Sequence, residues 1–357
     1  MRKLLGLLLL VLGCGANHGD AFLRAIDAGQ AAEARGRYGE AAERYDEAAR
    51  TARIDKDRDY ARFLAASMLR RSGDRSGAAS ILATLAAASP PGEETAAAAY
   101  ALADMRIEDD PAGWDDLLAV LSKFPDSGVG RPALRRIVAH RDATDGEEKT
   151  LAFLRQLGTT LGRTERGEEI AYEIAAHEAA TGDPRGARDA FVLVAHRWAY
   201  PHGALFDDAL YRASEEDEKL GRYSQAIADL EELLAVREHS FLVGSYERPR
   251  FDAAALRIGV LYRDRLGDRA RARAAFHRLY AEFKTSLLRG EALWDEASLW
   301  KDDGDLARSC DTLRTLVGEF RDSRYVPCAR ERCPAIPLPE GKNVVRTCHA
   351  YIERGGR

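Results

Sequence analysis

Small and apolar residues recur along the chain at helical spacing, and each run opens just after a glycine. From Gly36 the run is Tyr38, Ala41, Tyr45 and Ala48; from Gly221 it is Tyr223, Ala226, Leu230 and Leu233. Gly182 leads to Ala187, Phe191 and Val194, and Gly267 to Ala272, Phe276 and Leu279. Steps of three and four residues place such side chains on one stripe of an α-helix. Gly36, Gly73, Gly146, Gly182, Gly221, Gly267 and Gly304 each follow a polar, helix-like stretch, at spacings of 37, 73, 36, 39, 46 and 37. The spacing of 73 is a double step, and its missing rung falls at Asp109-Asp110-Pro111, itself a turn signal. The pattern predicts about eight units, each a pair of antiparallel helices joined by a tight glycine turn. The unit around Gly146 fits worst, with Leu151 in place of the small residue and Arg155 near the aromatic position.

The units also end alike: Lys123-Phe124-Pro125-Asp126-Ser127, Glu282-Phe283-Lys284-Thr285-Ser286 and Glu319-Phe320-Arg321-Asp322-Ser323, with Tyr200-Pro201 a looser copy. Proline stops a helix, and serine can cap the next one. One such unit cannot bury its own apolar face, so neighbours must stack to make a core. The pattern resembles the tetratricopeptide repeat. It is similar in particular to the repeats of Gram-negative envelope lipoproteins, such as the lipoprotein of the outer-membrane β-barrel assembly machine and the Tol-Pal-associated periplasmic coordinator. The resemblance covers most of residues 21–323. It implies an all-α, right-handed superhelical solenoid in which the first helix of each pair lines a concave groove. It also implies protein or peptide partners.

Carried onto this chain, the groove positions are Tyr60, Phe63, Arg70 and Arg71 in the second unit, Tyr172 in the fifth, Tyr211 in the sixth, Arg257 in the seventh and Trp294 in the eighth. Aromatic and arginine side chains on a concave wall suit peptide anchoring, although the same aromatics can simply pack between units. The positions of the family's carboxylate clamp hold Gln30, Ser67, Ala176, Glu215, Leu261 and Ser298, none of them the asparagine that such a clamp uses. The spacing of 46 conceals an insertion of about nine residues within Arg237–Arg250. Its Phe241, Leu242 and Tyr246 are more apolar than a connector needs, which makes Phe241 and Tyr246 further binding candidates.

The chain begins Met1-Arg2-Lys3, followed by an apolar run from Leu4 to Leu12 and then Gly13-Cys14. Two cations ahead of a short apolar run form a signal-peptide pattern, too short to span a bilayer as a helix. Val11-Leu12-Gly13-Cys14 resembles the lipobox of bacterial lipoproteins, which implies cleavage before Cys14 and acylation of its thiol. That resemblance divides the chain into a signal peptide (1–13), an anchor and tether (14–20), the repeats (21–323) and a C-terminal cap (324–357). Gly15, rather than aspartate, follows the cysteine. The familiar sorting rule then points to the outer membrane, facing the periplasm.

Beyond Ser323 the repeat gives way to Pro327, Pro334, Pro337 and Pro339. Lys342 to Arg354 reads as a short capping helix with Val344, Val345, Cys348, Tyr351 and Ile352 on one face. Cys310, Cys328, Cys333 and Cys348 form an even set, so an oxidising compartment favours two disulfides in one of three connectivities. Antiparallel helices would favour Cys310–Cys333 with Cys328–Cys348. The rival, a zinc site, lacks any paired CxxC.

Composition narrows the function. The chain has 357 residues, 31% of them charged, and a formal net charge of -5, which argues against a basic nucleic-acid-binding face. There is no Walker A, HExxH, GxSxG or CxxCH motif, and the acidic run Asp55–Asp59 has Tyr60 where a calcium loop needs glycine. His196 and His202, six residues apart, read as surface or packing residues, and Glu215–Glu218 as a solvated helix face. No cofactor or resident metal is expected, nor is catalysis. The expected role is a lipid-anchored periplasmic scaffold in envelope assembly or maintenance. The alternatives are an envelope enzyme or its regulator, such as one acting on peptidoglycan, and a pilotin-like helper for secretin or pilus assembly.

Overall fold

A computed structural model describes residues 18–237, 248–337, 339–341, 345–349 and 352. Among these residues there are seventeen α-helices and no strand. The chain is an all-α repeat solenoid that divides into two compact units, with the division between Thr144 and Asp145; Thr164–Arg166 belong with the first. It falls inside the fourth helix pair, the one whose sequence follows the pattern least.

The first unit holds α1 (Asp20–Ala34), α2 (Tyr38–Thr51), α3 (Asp55–Ser72), α4 (Arg75–Ala86), α5 (Glu93–Asp109), α6 (Gly113–Lys123) and α7 (Gly130–Thr144). The second holds α8 (Glu147–Leu161), α9 (Gly167–Ala180), α10 (Pro184–Arg197), α11 (Phe206–Lys219), α12 (Tyr223–Ala235), α13 (Phe251–Asp264), α14 (Arg269–Glu282), α15 (Arg289–Asp302), α16 (Leu306–Glu319) and the short α17 (Val326–Arg332). Within each unit, consecutive helices pack on one another.

All seven glycines of the ladder adopt positive φ, between 65° and 95°. Only glycine enters that region without steric cost, so the ladder marks the turns at which one helix reverses into the next. Four of these glycines are followed by an aspartate that caps the helix after it. Asp74, Asp183, Asp268 and Asp305 accept from the backbone N–H of Gly77, Gly186, Arg271 and Arg308 at 2.9–3.0 Å. Each such cap contributes about 1 kcal/mol. The expected serine caps do not form in this way. Ser127 donates back to the carbonyl of Phe124 at 2.7 Å, and Ser286 donates to Asp252 of the preceding pair at 2.7 Å. These serines lie three residues before α7 and α15 and close the turn, and Ser286 Oγ also accepts from the backbone N–H of Leu288, just ahead of α15, at 3.0 Å.

The cores form between helices. Tyr45 of α2 is 1% exposed and lies so close to Gly29 of α1 that a Cβ there would sit 2.5 Å from the ring. Phe276 of α14 presses on Gly259 of α13 in the same way, again at 2.5 Å. A missing side chain on one helix thus receives an aromatic from its partner.

At the C-terminal end, Cys310 pairs with Cys333 and Cys328 with Cys348, with Cα–Cα distances of 5.7 and 4.7 Å. The helix expected over Lys342–Arg354 does not begin within 345–349, which is non-helical; of its other residues only Ile352 is described, and it is helical. Instead α17 closes the stack, joined by Ile336 and Ile352, both buried against Trp294 and Val326. A short isolated helix is marginal in water. Here the Cys328–Cys348 disulfide and the burial of Ile352 tie the described residues of the segment to the stack.

Candidate protein-binding faces

In the first unit the candidates all lie on α3. Tyr60 is 42% exposed and offers its ring to solvent. Phe63 is half-buried against the cluster that contains Ala66, Leu82 and Met105. Arg70 reaches α5, donating to Asp104 at 2.7 Å and to Glu108 at 3.1 Å. Arg71 reaches back to Glu33 of α1 at 2.7 Å, and its guanidinium stacks 4.1 Å above the ring of Tyr38. Asp104 is gripped from the other side by Arg136 of α7. Desolvation pushes the Asp104 carboxyl up, but the hydrogen bonds from Arg136 and Arg70 outweigh it and hold it below the ordinary aspartate value.

In the second unit Tyr172 of α9 hydrogen-bonds to Asp208 of α11 and meets Phe191 edge-on at 5.4 Å. Burial, and then the neighbouring Asp208 carboxylate, push its hydroxyl up to about 12. Tyr211 of α11 is half-buried under Arg250, whose guanidinium lies 4.8 Å from the ring. Burial raises its pKa too, with Glu215 adding to the effect. Arg257 of α13 makes a two-pronged bond to Glu218 of α11, with Nε at 2.6 Å. Trp294 departs from expectation. At 4% exposure it is core, stacked on Tyr325 at 5.3 Å and covered by Arg332 at 3.7 Å, so it presents almost no wall to a guest.

Most candidates therefore spend their polar groups on the neighbouring pair. The partners Glu33, Asp104 and Asp208 were not singled out from the sequence. Glu218 belongs to the run Glu215–Glu218 expected as a solvated face, which the structure instead turns inward. Glu216 and Asp217 are buried, and Asp217 and Glu218 are held by arginines of neighbouring helices. The signal for all four partners was present as opposite charges or a hydroxyl and a carboxylate 34–39 residues apart, one repeat along. A denser knot lies inside the second unit, where Arg188 of α10 bridges Asp217 of α11 at 3.0 Å and Asp229 of α12 at 3.3 Å. Asp217 and Asp229 are almost fully buried, and desolvation raises the Asp229 pKa. Glu168 of α9 serves the backbone instead, accepting from Ala204 and Leu205 at 3.1 and 2.7 Å where α11 begins.

Cys14, Phe241 and Tyr246 lie outside the described residues. The residues flanking the insertion are anchored. Arg237 donates to the carbonyl of Glu282 at 2.8 Å and covers Phe283, and Arg248 donates to the carbonyl of Ala204 at 2.7 Å and covers Phe206.

A family model described as "Tetratricopeptide repeat" matches residues 253–286. Helices α13 and α14 thus carry a tetratricopeptide repeat. No curated protein matches the chain. Among solved structures, a putative kinesin light chain from Podosopora anserina with nearly identical TPR-like repeats is 15% identical, covering 51% of this chain and 91% of its own, with a TM-score of 0.37. MamA is 11% identical, with 51% and 93% covered and a TM-score of 0.36. A tetratricopeptide repeat protein from Parabacteroides merdae is 13% identical, with 88% and 99% covered and a TM-score of 0.31.

Proposed function

We propose that the protein is a non-catalytic scaffold, anchored through acylated Cys14 to the periplasmic face of the outer membrane. It binds protein partners in envelope assembly or maintenance. The observation that carries the scaffold reading is the helix-pair repeat itself. Each pair buries its apolar side against the next and leaves first-helix side chains such as Tyr60 at the surface. The anchor reading is supported by Val11-Leu12-Gly13-Cys14 after the basic, apolar start.

Crosslinking in intact cells, followed by purification and mass spectrometry, tests both parts. The expected result is a mature N-terminus at Cys14 carrying acyl mass, together with a defined envelope protein at high recovery. Tyr60→Ala should lower that recovery without lowering the melting temperature, because this ring is exposed. Unchanged recovery removes Tyr60 from the binding face. Hydrolysis of peptidoglycan by the purified chain overturns the non-catalytic reading.

A further inference from the structure

The described chain begins already docked. His18 Nδ1 lies 2.7 Å from Oδ2 of Asp57 in the first turn of α3, and the Asp57 side chain is only 8% exposed. The His18 ring also stacks on Phe22 of α1, with centroids 6.2 Å apart. Gly19 follows at φ 79°, where a Cβ would meet Arg53 Nε at 2.8 Å. The start of α1 is thus pressed onto the turn between α2 and α3. The next inter-pair turn lies alongside, since Lys56 at the start of α3 donates to Glu93 at the start of α5 at 2.7 Å.

From these contacts we infer that the α2–α3 turn is the edge on which the first unit meets the lipid surface, with Ile54 at its tip and His18–Asp57 as the clamp that sets its height. The inference rests on the anchor reading above. If Cys14 carries the lipid, only four residues lead from it to the docked His18, a reach of about 14 Å when fully extended. The clamped turn then cannot stand farther off than that. Its exposed residues are Arg53, Ile54, Asp55 and Lys56, with Ile54 36% exposed and Asp55 paired with Arg58. The far ends of α1 and α3 are carried away from the bilayer. The 15 residues of α1 alone span about 22 Å. Without the clamp the free tether lengthens, and the unit can tilt or lift.

Nitroxide labels on the full, processed protein in phosphatidylethanolamine–phosphatidylglycerol vesicles test this, with a nickel chelate carried on the lipid headgroups as relaxant. Ile54→Cys and Ala34→Cys supply the two positions, both at exposed residues at opposite ends of the first helix pairs, with the four cysteines of the disulfides left paired. Relaxation at position 54 should exceed that at position 34 several-fold. His18→Ala should shrink the difference while circular dichroism melting stays close to that of the parent. Equal relaxation at the two positions of an acylated, vesicle-bound protein overturns the orientation and leaves the anchor standing. A Cys14 peptide without acyl mass, from protein that does not float with vesicles, overturns the anchor and the orientation together. A difference that persists unchanged in His18→Ala removes the clamp.

Discussion

At the scale of single residues, two kinds of contact decide stability: shape fit at small residues and charge held between helices. Gly259 has no room for a methyl group, because Phe276 occupies that space and is itself fully buried. Gly259→Ala should therefore cost about 1–3 kcal/mol, the usual penalty for overpacking. Urea unfolding of the substituted chain gives the value, and a change within error would show that the ring can move aside. Asp104 gives the electrostatic counterpart. Folding holds its carboxyl below the value of about 3.9 found in an unfolded chain. Its stabilisation is therefore complete at neutral pH and is lost as pH falls through that value toward the lower folded one. Asp104→Asn should lower stability by about 1 kcal/mol at pH 7, a modest figure for a partly exposed pair. The deficit should narrow below pH 4. A deficit that is flat with pH would mean that Asp104 acts through packing alone.

At the scale of elements, caps and cross-links set where helices end. The C-terminal element depends most on covalent help, because α17 has only seven residues and residues 345–349 after it are non-helical. The disulfides close loops of 23 and 20 residues, and each contributes about 3 kcal/mol on the chain-entropy account. Reduction with dithiothreitol should speed amide exchange in α16 and α17 and leave α10 and α11 protected as before. Equal exchange with and without reductant would show that Trp294, Ile336 and Val326 hold the end alone. The helix-pair order was legible in the sequence because glycine at a reversal and a stripe at steps of three and four have few other uses. The caps were less legible, since serine and aspartate both accept from a free N–H and only the geometry after Gly73 or Gly182 selects aspartate. The wall candidates were legible as positions but not as partners. Whether Arg257 faces a guest or Glu218 depends on a neighbour one repeat away. Trp294 misled for a related reason. A large ring on a first helix marks a wall in mid-array but becomes core beneath a cap.

At the scale of the whole molecule, a helix-pair chain behaves as a row of nearest-neighbour contacts, so the weakest stretch opens first. The two units are built from different material. Of the twelve residues in the buried cluster that opens the first unit, eight are alanine, with Phe22, Tyr45, Ile26 and Met68 as the larger members. The main cluster of the second unit contains Phe191, Phe206, Phe251, Phe276 and Phe283 besides many leucines. Each buried CH₂ is worth about 0.8 kcal/mol, so a phenylalanine core gains far more per contact than an alanine core. Arginine-carboxylate bonds along α3, α5 and α7 offset part of that difference, but exposed pairs contribute little each. The second unit also has the disulfides. Amide exchange under native conditions should therefore show α1–α4 opening at lower free energy than α10–α14, and denaturant unfolding should spread over more than one transition. Equal protection in the two units, with one sharp transition, would mean that the chain folds as a single cooperative block despite its unequal cores.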